Sequence, residues 1–215
     1  MTLDRLVCPA LVVVDMQNDF VRVGAPLEVP TARDTIPVHR RLLEFCRGRR
    51  IPVLYTKFIA GPRRTLIWEW SPVLAPPTCC CWKGNRRYYE DVARELDCSD
   101  VIDEIYPVPD EPVIEKFGYG AFHNTNLDAL LRAHHVESLL VTGTVTNICV
   151  DETAREAFKY GYKTTIVADA VSSFTPDLHD SALRNFAMKF GWVGTAQELM
   201  DAMAESRRLL PDPEG

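Results

Sequence analysis

The chain has 215 residues, 47% of them hydrophobic and 25% charged, with a net charge of −6. That length supports one sizeable core and falls short of two ordinary domains, so residues 1–215 are read as a single domain. The acidic balance argues against nucleic acid as a partner, since phosphate binding needs a surplus of Lys and Arg on one face, and no apolar run is long enough to span a membrane.

In chain order, residues 11–14 are continuously apolar and end at Asp15, like a strand buried on both faces. Residues 35–48 read as a helix stopped by Gly48, and 51–55 as a second strand. Residues 58–84 keep no steady period and are rich in Pro and Trp, which predicts a long loop or lid. Residues 85–96 read as a helix and 112–116 as a short strand. After that the rhythm is regular: helix 126–134, strand 138–143, helix 147–160 closed by Gly161, strand 163–168, helix 176–190, strand 192–194 and helix 196–208. Residues 209–215, with two prolines, read as a frayed tail. Strands alternating with helices of about a dozen residues imply right-handed crossovers and an α/β fold whose parallel sheet is covered on both faces.

Seven cysteines, irregularly spaced, fit a reducing cytoplasm better than a disulfide framework. The N-terminal sequence lacks the basic, apolar, small-residue order of a signal peptide. The expected location is therefore cytoplasmic.

In open parallel sheets, ligands sit beyond the carboxyl ends of the strands. That ranks three reactive residues ahead of the rest. Cys149 follows the strand ending at Gly143 and falls in the first turn of a helix, where Thr146 or Asn147 can cap. The helix dipole and unpaired N–H groups there are expected to lower the thiol pKa and favour thiolate. Read alone, the same residue is a small buried cysteine. Asp15 can cap a turn, or it can take the S–H proton and return it to a leaving amine. Lys116 is either a surface lysine or a cation that orients Asp15.

With those residues in place, the chain resembles the isochorismatase-like cysteine hydrolases from about Pro9 to Met203. The matching blocks are VVVDMQNDF at 12–20, EKFGYGAFHNTNLDALL at 115–131 and VTGTVTNICVDETAREA at 141–157. The resemblance implies a three-layer α/β/α, Rossmann-like fold with a mostly parallel six-stranded sheet, and a catalytic triad of Asp15, Lys116 and Cys149. It also implies a cis peptide between Thr144 and Val145, which turns the Val145 amide toward that of Cys149 as a two-donor oxyanion hole. The chemistry implied is attack by Cys149, release of ammonia, and hydrolysis of a thioester.

Within that family, the nicotinamidase branch carries metal-binding histidines between the catalytic Asp and Lys. This chain has no histidine between His39 and His123, so no metal and no cofactor are expected. A branch that hydrolyses isochorismate lacks the nucleophile, which Cys149 argues against. What remains resembles the metal-free amidases acting on N-carbamoylsarcosine, ureidoacrylate and biuret, hence a small linear amide or ureide as substrate. Phe20, Tyr119 and Phe122 are candidate walls, Trp68 and Trp70 further aromatic surface, Arg63 or Arg64 a carboxylate clamp, and Gln17 and Asn124 carboxamide partners. Cys79-Cys80-Cys81 has the wrong spacing for a zinc site and reads as loop packing. A homo-oligomer, dimer or tetramer, is expected through the Trp-rich loop and the last helices. The other readings are an isochorismatase- or nicotinamidase-type hydrolase of another substrate, or a non-catalytic small-molecule-binding protein of the same fold.

Overall fold

A computed structural model describes residues 6–205. The central strand β1 (Pro9–Val14) is the run PALVVV, buried at all six positions. A strand with layers on both faces must be apolar throughout, and the pleat sends alternate residues to opposite sides. Leu11 and Val13 enter one core with Leu42, Leu43 and Cys46 of α2 (Ile36–Gly48) and Leu199 and Met203 of α7 (Ala196–Glu205). Ala10, Val12 and Val14 enter the other. There they meet Leu127 and Leu131 of α4 (Leu127–Ala133), Ala154 and Ala157 of α5 (Asp151–Lys159), and Leu183 and Phe186 of α6 (Pro176–Lys189). Two cores on one sheet make the three layers.

Flanking β1 are β2 (Val53–Phe58) on one side and β6 (Ser138–Thr144) on the other. Outside them lie β5 (Val113–Lys116), β7 (Lys163–Ser172) and β8 (Trp192–Gly194), in the order β5-β2-β1-β6-β7-β8. Every neighbouring pair is parallel, so the sheet is wholly rather than mostly so. The chain winds outward through β2 to β5, then crosses back to β6. This puts the topological switch between β1 and β6, where a crevice opens at the strand ends.

The helix expected over 85–96 is instead an antiparallel hairpin, β3 (Arg86–Tyr89) and β4 (Arg94–Asp97). Its alternation explains the difference. Arg87 and Tyr89 turn inward to the buried carboxylate of Asp19, while Tyr88 between them is exposed. Pairing with a distant acid overrides local helix propensity. The stop expected at Gly48 is also displaced: Gly48 is the last helical residue, and the left-handed turn falls at Arg50, φ 57°.

The lid segment is ordered by its tryptophans. A single helical turn, α3 (Ile67–Trp70), is held by Trp68 Nε1 donating to the Ala60 carbonyl at 2.8 Å, and Trp68 stacks on Trp82 with centroids 5.7 Å apart. The last helix is described to Glu205; its expected end at Arg208 and the tail 209–215 lie outside the described residues. No helix among the described residues is long and apolar enough to cross a membrane.

Candidate active site

Asp15 follows β1 at φ 48°, a left-handed conformation that Asp tolerates better than most residues. The bend takes its side chain off the strand path into the crevice. Thr56, the β2 partner of Val14, donates its hydroxyl to Asp15 Oδ1 at 2.6 Å. Lys116 ends β5, two strands away, and strands in a sheet lie about 4.8 Å apart. Its long stem crosses the end of β2, passing Nζ within 5.4 Å of the Phe58 ring centroid, and brings Nζ to 2.7 Å from Asp15 Oδ2. Both side chains are fully buried.

The ammonium also donates to the carbonyls of Gly118 at 3.1 Å and Tyr119 at 2.8 Å, so its three N–H groups face three acceptors. Those carbonyls belong to a loop pinned to α5, where the Phe122 amide donates to Glu156 Oε2 at 2.8 Å. Gly120 gives that carboxylate its room, since a Cβ would lie 2.3 Å from the Glu156 oxygen and displace it. Burial, the largest single influence, would lower the Lys116 pKa; the charge of Asp15, together with Cys149 and the hydrogen bonds to both, outweighs it, and the net shift is upward.

Cys149 lies in a five-residue π-turn, Thr146–Val150, between β6 and α5. Widened turns of this kind are frequent at functional sites. The Thr144–Val145 peptide is cis, and the Val145 amide faces the Cys149 sulfur. The thiolate expectation is reversed. Burial pushes the Cys149 thiol up to about 12, with Lys116 acting to lower it and Asp15 to raise it. A thiol fully enclosed beside a carboxylate stays protonated; dehydration of the anion outweighs the helix start.

Above the sulfur is a cavity of about 50 Å³. Phe20, Phe58, Tyr119 and Phe174 supply aromatic walls, and Leu27, Ile67, Leu74 and Ile148 aliphatic ones. The Ser71 hydroxyl faces the Tyr119 phenol, whose pKa is raised first by burial and then by Cys149.

Of the expected substrate-binding residues, Phe20 and Tyr119 line this cavity. Gln17 does not: its amide is spent on the backbone of Phe58, at 2.7 and 3.0 Å, and on the Ser99 carbonyl at 2.8 Å. Phe122 is buried against Tyr160 and Tyr162, on the α4–α5 side. Asn124 is exposed and bonds His123. Trp68 braces the lid, Trp70 is 80% exposed, Arg63 is exposed, and Arg64 pairs with Glu69. The lid instead contributes Ile67, Ser71 and Leu74 to the cavity, the first two a helical turn apart. Thr56 was not anticipated; its one signal is a hydroxyl residue directly after the run Ile51 to Tyr55.

Asp19, Cys80 and Cys81 bring one ligand-type atom each within 4.8 Å, all buried. The Asp19 oxygens already accept from Arg87, Tyr89 and the Cys81 amide at 2.7–3.0 Å, so the carboxylate ties the hairpin to the lid.

Residues 9–198 match the Isochorismatase domain. The chain is 30% identical over 217 residues to the ureidoacrylate amidohydrolase RutB of Yersinia enterocolitica, covering 93% of this chain and 91% of that protein. The N-carbamoylsarcosine amidase of Thermoplasma acidophilum superposes with a TM-score of 0.71 at 33% identity, covering 87% of this chain and 96% of that one. An isochorismatase-like hydrolase of Alkaliphilus metalliredigens gives 0.79 at 28% identity, covering 91% and 98%. With three strand ends converging on one crevice and a domain match over most of its length, this chain belongs to the isochorismatase family.

Proposed function

We propose that the chain is a cysteine-dependent amidohydrolase of small linear amides or ureides. One observation carries the reading: a buried thiol, carboxylate and ammonium meet beneath a small, mainly apolar cavity. The relatedness to amidohydrolases of ureidoacrylate and N-carbamoylsarcosine supports it.

The high thiol pKa dictates the order of events. Cys149 rests protonated, and Asp15 takes the proton as sulfur adds to the substrate carbonyl, so no free thiolate needs to persist. Lys116 holds the carboxylate in place and offsets charge on the sulfur. The amides of Val145 and Cys149 receive the carbonyl oxygen as it becomes negative. Asp15 then returns its proton to the nitrogen, ammonia leaves, and an acyl-enzyme remains on Cys149. Water deprotonated by Asp15 releases the acid and restores the thiol. For a ureide, the product is a carbamic acid that loses carbon dioxide.

The test is ammonia release over a panel of amides and ureides, with Cys149→Ala as control. Turnover by the native chain, abolished in the variant with its fold intact, is expected. Retained turnover in Cys149→Ala overturns the mechanism.

A further inference from the structure

Resting on that reading, we infer that the site selects a neutral substrate with a compact apolar substituent and rejects the carboxylate-bearing ones. Among the described residues, none with a formal charge lines the cavity: eight of its walls are aromatic or aliphatic, with Val145 completing them, and its polar side-chain groups are the hydroxyls of Ser71 and Tyr119 and the Cys149 thiol. The two buried charges below it, Lys116 and Asp15, are already joined to each other.

A substrate carboxylate entering this space loses its water and meets no cation among the described residues of its lining. An anion buried without a partner is strongly disfavoured. The arginines that could have met it are turned away: Arg64 is held by Glu69, and Arg63 is exposed rather than part of the cavity. Charge around the cavity works in the same direction. The neighbouring cavity, which shares Phe174, carries Asp34 and Asp169. Ser71 and the protonated Tyr119 phenol can still serve a neutral polar atom.

Size narrows the class further. The cavity is small, about 50 Å³, and its walls are apolar on most sides. That favours a short branched alkyl group over a ring system with substituents. The substrate class is thus a short N-alkylurea or aliphatic carboxamide. Ureidoacrylate, the substrate named for the relative, is an anion and falls outside it.

Matched pairs test this on the native chain. N-carbamoylglycine and isobutylurea differ by a carboxylate in place of an isopropyl group, as do succinamate and 4-methylpentanamide. We expect kcat/KM at least 100-fold higher for the neutral member of each pair. Equal rates, or preference for the anion or for ureidoacrylate, overturn the inference while leaving the amidohydrolase reading intact. No turnover of any member overturns both. Ile67→Arg adds a cation at a half-buried lid position and should narrow the ratio at least tenfold, with turnover of the neutral member reporting that the variant is folded. An unchanged ratio in that folded variant overturns the assignment of the substituent to this cavity.

Discussion

Consider the removal of each charge from the buried pair. Lys116→Met leaves the Asp15 carboxylate enclosed without its ammonium partner, with the Thr56 hydroxyl still donating to Oδ1. At 2.7 Å and an effective dielectric constant of about 20, the Coulomb attraction lost is about 6 kcal/mol before desolvation is subtracted. Breaking one side of such a pair costs about 3–5 kcal/mol net. For a chain of this size each kcal/mol lowers Tm by about 2–4 °C, so a fall of about 6–20 °C is expected. Asp15→Asn should cost less, roughly 1–3 kcal/mol, because Lys116 keeps its two carbonyl acceptors and Asn tolerates the left-handed backbone. The double variant buries neither charge. Its cost should fall below the sum of the singles by about 2 kcal/mol, in urea unfolding followed by circular dichroism. All three should lack amidase activity. Costs that add to within about 0.5 kcal/mol would refute the coupling, and activity in Lys116→Met would refute its place in the mechanism.

The raised thiol pKa and the packing of β6 each yield a further prediction. Alkylation of Cys149 by iodoacetamide should climb steadily above pH 9, because the group ionises only toward pH 12 in the folded chain. A rate plateau between pH 6 and 8 would show a stabilised thiolate and reinstate the helix-dipole expectation. Folding holds this proton, so the linked stability is fully present below the unfolded thiol pKa of 9.0 and is lost as pH rises from there toward 12. At Gly143, φ 107° and a Cβ position 1.9 Å from the Val14 carbonyl leave no room for a side chain where β6 approaches β1. Gly143→Ala should therefore cost several kcal/mol, on the order of 3 or more, and disturb Asp15 next door. A loss under about 1 kcal/mol in thermal unfolding would contradict that packing.

Much of the fold is local information. The unbroken run at residues 11–14, the strand–helix alternation after residue 126 and the aspartate, lysine and thiol at strand ends are legible because buried parallel strands must be apolar at every position, and because their ends face the crevice. The three reactive residues were legible for that reason. Gln17 and Phe122 illustrate the limit: Gln17 follows Asp15 by two residues and Phe122 follows Lys116 by six, yet both point away from the cavity, since the backbone turns between them and the reactive residue. The hairpin at 86–97 is decided by Asp19, some seventy residues earlier, whose buried charge draws Arg87 and Tyr89 inward.

What the sequence by itself determined is which groups could react and which layers would form. Only the tertiary structure decided the state of the thiol, the role of Thr56 and the apolar character of the cavity. Each depends on how many distant side chains exclude water from one point, and dehydration is a property of the packed whole that no local pattern encodes.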